Sequence, residues 1–172
     1  MAIDRQKTET VHWHAVFTAS RAEKKVRDRL EELGVECFLP LRQWTYRKSR
    51  VVVPVIAGLV FVRVGRQEQV KVLQTKGVVA FLRLKGEAGA AVIPDKQMED
   101  FRFLLDFSEE AVEMTNENIK AGDLVRVVKG SLRGMEGELI RHKGVTKVLV
   151  RIDMLGCAMV NIPASFVEKL NK

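Results

Sequence analysis

A chain of 172 residues with a 47% apolar share can bury a core as one large domain or two small ones. It has no run approaching the roughly 20 apolar residues of a membrane span, no apolar signal segment at its start, and two distant cysteines that form neither a disulfide framework nor a zinc site. The net charge of +7 is uneven: residues 1–106 carry +6, residues 107–118 carry −4, and residues 119–172 carry +5, so two basic bodies flank an acidic connector and point to a polyanionic partner.

The first ten residues are polar and read as a disordered start. Val11 to Thr18 alternates, with Trp13, Ala15 and Phe17 on one face and His12, His14, Val16 and Thr18 on the other, as a strand requires. A helix follows, with Ser20 and Glu23 spaced as a capping box and Gly34 just past its end. Ala22, Val26, Leu30 and Leu33 form its inner face, and Arg21, Lys24, Lys25, Arg27 and Arg29 its outer one. Glu36 to Leu41 reads as a short strand and Arg42 to Arg50 as a basic, aromatic-laced hairpin arm.

Val51 to Val62 (VVVPVIAGLVFV) is the longest apolar run. Its β-branched content predicts one central strand buried on both faces, with Pro54 at a bulge or the strand's beginning and Gly58 at a bend. A short helix around Gln67 to Gln74, a strand at Val78 to Leu84 and a helix from Pro94-Asp95 complete the unit. Met98, Phe101 and Leu105 are expected on the inner face of that last helix. The order predicts an α+β, ferredoxin-like βαββαβ plan plus one helix. Residues 108–118 read as an acidic linker or an extension of the third helix. Beyond it, Leu124 to Val128, Glu138 to Arg141, Lys147 to Ile152, Ala158 to Ile162 and Phe166 to Leu170 are short strands divided by glycines, which predicts a small β-barrel. The expected domains are 11–107 and 119–172.

Catalysis finds no support, because no nucleophile motif, P-loop or carboxylate pair is present, and no cofactor or enzyme activity is expected. His12 and His14 share a strand face but lack a third metal ligand, which favours ordinary surface or interface histidines. Binding is better supported. Trp44 and Tyr46 alternate with Arg42, Arg47, Lys48 and Arg50, a mix suited to phosphate contact and base stacking, unless the aromatics fold back onto the core. The basic helix face suits nucleic acid or a solvated helix with pairs such as Arg27 with Glu31.

Several stretches together resemble the NusG family of transcription elongation factors, which join a ferredoxin-like NGN domain to a KOW domain, an SH3-like β-barrel. They are Trp13-His14-Ala15-Val16, Leu30-Glu31-Glu32-Leu33-Gly34, Gly58-Leu59-Val60-Phe61-Val62, Gly77-Val78, Gly122-Asp123-Leu124-Val125-Arg126-Val127, the glycines 130, 134 and 137, and Phe166-Val167-Glu168-Lys169-Leu170. Phe38-Leu39-Pro40-Leu41, Phe81-Leu82-Arg83 and Ile93-Pro94-Asp95 resemble the UpxY-type antiterminators within that family.

The resemblance implies a cytoplasmic, monomeric antitermination factor that binds RNA polymerase through Trp13, His14, Phe17, Ile56, Leu59 and Phe61. It implies that Leu59→Asp abolishes that binding with the fold intact. The family's aromatic-Pro-Gly-Tyr stands here as Ile56-Ala57-Gly58-Leu59, a departure that keeps the pocket apolar with less aromatic area. Ser20, Arg21 and Lys24, with the hairpin, would face non-template DNA or nascent RNA. Val125, Leu132 and Arg133 would meet the ribosomal protein NusE or the termination factor Rho. The alternative is a ribosome-associated RNA-binding KOW protein.

Overall fold

The computed structural model describes residues 9–171, so the disordered start expected before Val11 lies almost wholly outside the described residues. The chain divides into two compact units, Met1–Val92 and Ile93–Lys172. That division falls ahead of the third helix, which the sequence pattern assigns to the first domain.

The first unit contains β1 (His12–Thr18), α1 (Glu23–Glu32), β2 (Glu36–Phe38), β3 (Leu41–Tyr46), β4 (Ser49–Pro54), β5 (Leu59–Val64), α2 (Glu68–Leu73) and β6 (Val78–Phe81). Four of these strands make a sheet in the order β2-β5-β1-β6, antiparallel at each junction. With β3 and β4 set aside, this is the split βαβ arrangement of a ferredoxin-like domain. Val16, Val60, Val62 and Val64 from the sheet pack with Val26 and Leu30 of α1 and Val72 of α2 in one core. Alternation along β1 puts Trp13, Ala15 and Phe17 on the opposite side.

Three expectations are corrected here. The Val51 to Val62 run is two strands in two sheets, separated by a bend and turn over residues 55–58. Only its second half is central; Val51 and Val52 are exposed in the hairpin that β4 forms with β3. The capping box does not form, because α1 begins at Glu23 itself with no side-chain cap. Arg27 pairs with its neighbour Asp28 rather than with Glu31.

The second unit contains α3 (Asp95–Phe107), β7 (Glu113–Thr115), β8 (Asp123–Val127), β9 (Glu136–His142), β10 (Val145–Ile152), β11 (Gly156–Asn161), a short 3-10 turn at Ala164–Phe166, and β12 (Val167–Lys169). On α3 the buried residues are Met98, Phe101 and Leu104; the expected Leu105 sits one position round the helix. Gln97 on this helix clasps Asp153, taking its amide proton at 2.7 Å and donating to its carboxylate at 2.9 Å.

The six strands form one antiparallel sheet, β12-β8-β9-β10-β11-β7. Five of them match the expected barrel strands. The sixth, β7, arises inside the stretch expected to be a plain linker and pairs with β11. Lys147 is buried there and doubly partnered: its Nζ donates to Glu113 at 2.9 Å and to Asn161 at 2.8 Å, joining β7, β10 and β11. Gly156 permits the close approach, since a Cβ there would collide with the Thr115 carbonyl oxygen.

Candidate protein and nucleic-acid contact surfaces

Three groups of residues in the first unit bear on binding, and the structure links two of them. β1 and β5 pair in register, with Ala15 opposite Phe61 and Phe17 opposite Leu59. Phe61 stacks on Phe38 of β2 with ring centroids 6.2 Å apart. Trp13, Leu59 and Phe61 are buried, whereas Phe17 is 41% exposed and Ile56 half-buried. The accessible apolar residues of this group are therefore Phe17 and Ile56, and the other three lie beneath the surface. His14 faces the other way. It is buried, its Nδ1 lies 2.8 Å from the Ala91 carbonyl oxygen, and its ring meets Phe81 edge-on. Burial holds its pKa below the usual histidine value, against the opposing pull of that hydrogen bond. The ring is thus neutral, with Nδ1 donating.

The turn before Leu59 is tied to the start of α1. The Gly58 amide donates to the Glu23 carboxylate at 2.8 Å, and the Gly58 carbonyl accepts from Thr18 at 2.9 Å. Glu23 is buried, and Gly58 takes a φ of +73°. These bonds tie the turn between Ile56 and Leu59 to the segment from Thr18 to Glu23, next to Ser20, Arg21 and Lys24 in the chain, the residues expected to face nucleic acid. Ser20 and Arg21 are exposed. Lys24 donates to the Val52 carbonyl at 2.6 Å and so also holds the hairpin. Glu23 is the site residue that sequence reasoning misses: the S-x-x-E spacing draws it toward Ser20, while its partner lies 35 residues away.

The hairpin of β3 and β4 stands apart as a two-stranded sheet. Arg42, Trp44 and Tyr46 share one face by strand alternation, and Arg50, opposite Thr45, lies on the other. Trp44 is 52% and Tyr46 56% exposed, so the aromatics do not fold back onto the core. The Arg42 guanidinium lies 5.1 Å from the Trp44 ring centre, and that of Arg47 lies 5.2 Å from Tyr46. Both are cation–π distances. Arg47 and Lys48 form the tip, both with positive φ (46° and 65°). Between Glu36 and Glu68 the chain has six basic residues and no acidic one.

In the second unit Val125 and Leu132 are buried and Arg133 is exposed. Leu132 lines a pocket of about 460 Å³ together with Lys129, Val145, Ile162, Pro163 and Phe166. Among the described residues no cluster of His, Cys, Asp or Glu is arranged to hold a metal ion, and no helix is long and apolar enough to cross a membrane. Both cysteines are free thiols; burial pushes Cys37 up to about 11 and Cys157 upward as well, so both are protonated at neutral pH.

A ferredoxin-like unit followed along the chain by a six-stranded barrel-type sheet defines a two-module α+β protein. The family model described as transcription termination factor nusG matches residues 11–102. The chain belongs to the NusG family and has a role in transcription. No curated protein matches it. The solved structure described as "Domain interaction in Thermotoga maritima NusG" is 22% identical, covers 94% of this chain and 98% of its own, and has a TM-score of 0.51, a likeness of fold. A crystal structure of an MjSpt4:Spt5 complex, 16% identical over 93% of this chain and 99% of that one, has a TM-score of only 0.30.

Proposed function

We propose that this protein binds RNA polymerase through its first unit, suppresses pausing or termination, and recruits a further partner through its barrel. Family membership over residues 11–102 carries the transcriptional part of this reading. Phe17, with Ile56 beside it, forms the accessible apolar contact on polymerase, and buried Trp13, Leu59 and Phe61 give it a rigid floor. His14 supports the contact from behind, by fixing β1 to Ala91. Exposed basic groups at Arg21 and on the hairpin contact non-template DNA or nascent RNA without reading its sequence. A partner such as NusE or Rho would insert an apolar side chain beside Leu132, with Arg133 at the rim. UpxY-type antitermination of particular operons is the specialised form of the same activity, exercised in the cytoplasm.

Burial changes the test. Leu59→Asp would place an unpaired carboxylate in a packed site and unfold the unit, so a loss of binding would be uninformative. Phe17→Asp alters an exposed position and is the cleaner probe. It should weaken polymerase binding at least tenfold with unchanged thermal unfolding. Wild-type affinity in that variant would remove the proposed contact.

A further inference from the structure

We infer that the hairpin face of Arg42, Trp44, Tyr46 and Arg47 is a slot for one unstacked base of a single-stranded nucleic acid; this rests on the nucleic-acid role proposed above and narrows it. Neighbouring same-face residues on a strand lie roughly 6.6–6.8 Å apart, two rises of about 3.3–3.4 Å each. A base stacked between two rings needs about twice the 3.4 Å spacing of stacked bases, so the strand sets the two backbone attachment points at a separation that suits such a base. Trp44 and Tyr46 occupy two such consecutive positions and are both more than half exposed. Each carries a guanidinium against its ring, from Arg42 and Arg47 respectively, which adds positive charge where a strand's phosphates would run on either side of the base.

Charge complementarity names the occupant. The hairpin arm from Arg42 to Arg50 holds four basic residues, and no acid occurs anywhere between Glu36 and Glu68. A duplex satisfies the charge but keeps its bases stacked on one another, so it cannot fill the slot. Stacking and phosphate contact do not read the sugar, so DNA and RNA single strands are both ligands.

The test uses fluorescence anisotropy of the full chain with labelled 12-nucleotide DNA and RNA single strands and a 12-base-pair duplex at one salt concentration. Single strands should bind about tenfold more tightly than the duplex. Trp44→Ala should cost about tenfold on the single strands and little on the duplex, with Trp44→Phe restoring most of the loss. Arg50→Ala, on the opposite face, should weaken all ligands alike. Hydrogen exchange of the β3 and β4 amides verifies that each variant keeps the hairpin. Equal affinity for duplex and single strand, or an unaffected Trp44→Ala with its hairpin intact, would overturn the slot. Phe17→Asp should bind the oligonucleotides normally, so failure of the polymerase reading and failure of the slot are separable.

Discussion

At Glu23 a buried carboxylate takes its hydrogen bond from the Gly58 amide, 35 residues away and in the left-handed region. Removing the carboxylate leaves a part-buried N–H without its partner, at a cost of roughly 1–3 kcal/mol. Glu23→Ala should therefore destabilise the first unit by about that amount and speed hydrogen exchange at Gly58. Glu23→Gln, which keeps an acceptor oxygen, should lose less than half as much. Equal exchange at Gly58 in all three proteins would show that the tie does not hold the turn. His14 supplies a pH dependence of known sign. Its folded pKa lies below the ordinary 6.5, so between the two values the unfolded chain binds a proton that the folded chain refuses. The contribution is complete above pH 6.5 and is lost as pH falls through the folded pKa. Thermal unfolding should show wild type losing stability over that window relative to His14→Asn, whose amide nitrogen can still donate to Ala91. Parallel profiles for the two proteins would exclude His14 as the cause.

Among the elements, the hairpin turn carries an evident local cost. Arg47 and Lys48 both occupy left-handed backbone, where a two-residue turn ordinarily takes Asn-Gly. Replacing the pair with Asn-Gly should raise protection of the hairpin amides. It should also lower affinity for single strands and flatten its salt dependence by roughly 0.7 for each phosphate no longer neutralised. A variant that gains stability at unchanged affinity would show that the tip charges are not used. Strand β7 offers a second test. Glu113→Ala strands the buried Lys147 ammonium and should cost about 1–2 kcal/mol, more than Lys147→Met, which removes the charge along with its partner's need. Chemical denaturation orders the two variants; the reverse order would contradict the lock.

The same elements show what can be read from sequence. Periodicity marks β1, α1, α2 and the five main barrel strands, because each buries one face of a regular element. It fails at Val51 to Val62, where composition is uniform but Pro54 and the Gly58 turn divide the run between two sheets. β7 is invisible to it, since three residues of Glu-Met-Thr in an acidic stretch gain their order from Lys147 and the β11 edge rather than from their own pattern. Trp44 and the basic residues of the hairpin are legible as a candidate site by composition, and the structure leaves Trp44 exposed. The Glu23–Gly58 pairing, and the burial that leaves Phe17 as the exposed apolar residue, depend on tertiary register and are not.

For the molecule as a whole, a basic first unit (+8 over residues 1–92) and a near-neutral second unit (−1 over residues 93–172) of different architecture suit a factor that holds a nucleic-acid-bound machine with the first module and a separate partner with the second. On the function proposed above, non-specific phosphate contacts would suit travel along any template, and an apolar protein contact would set where the factor resides. The C-terminal module should act after binding: Arg133→Glu, at an exposed position next to Leu132, should reduce partner capture while leaving polymerase affinity within twofold, measured by co-precipitation of the full chain with polymerase. Loss of both together would assign the pocket a structural rather than a recruiting role. The central claim is tested most directly by promoter-initiated transcription on a long template carrying pause sites and terminators, with purified polymerase and with or without this protein. Shorter pauses and greater read-through, abolished by Phe17→Asp, are the predicted result. Unchanged pausing and termination at saturating protein, on templates that include the leader of its own operon, would contradict it.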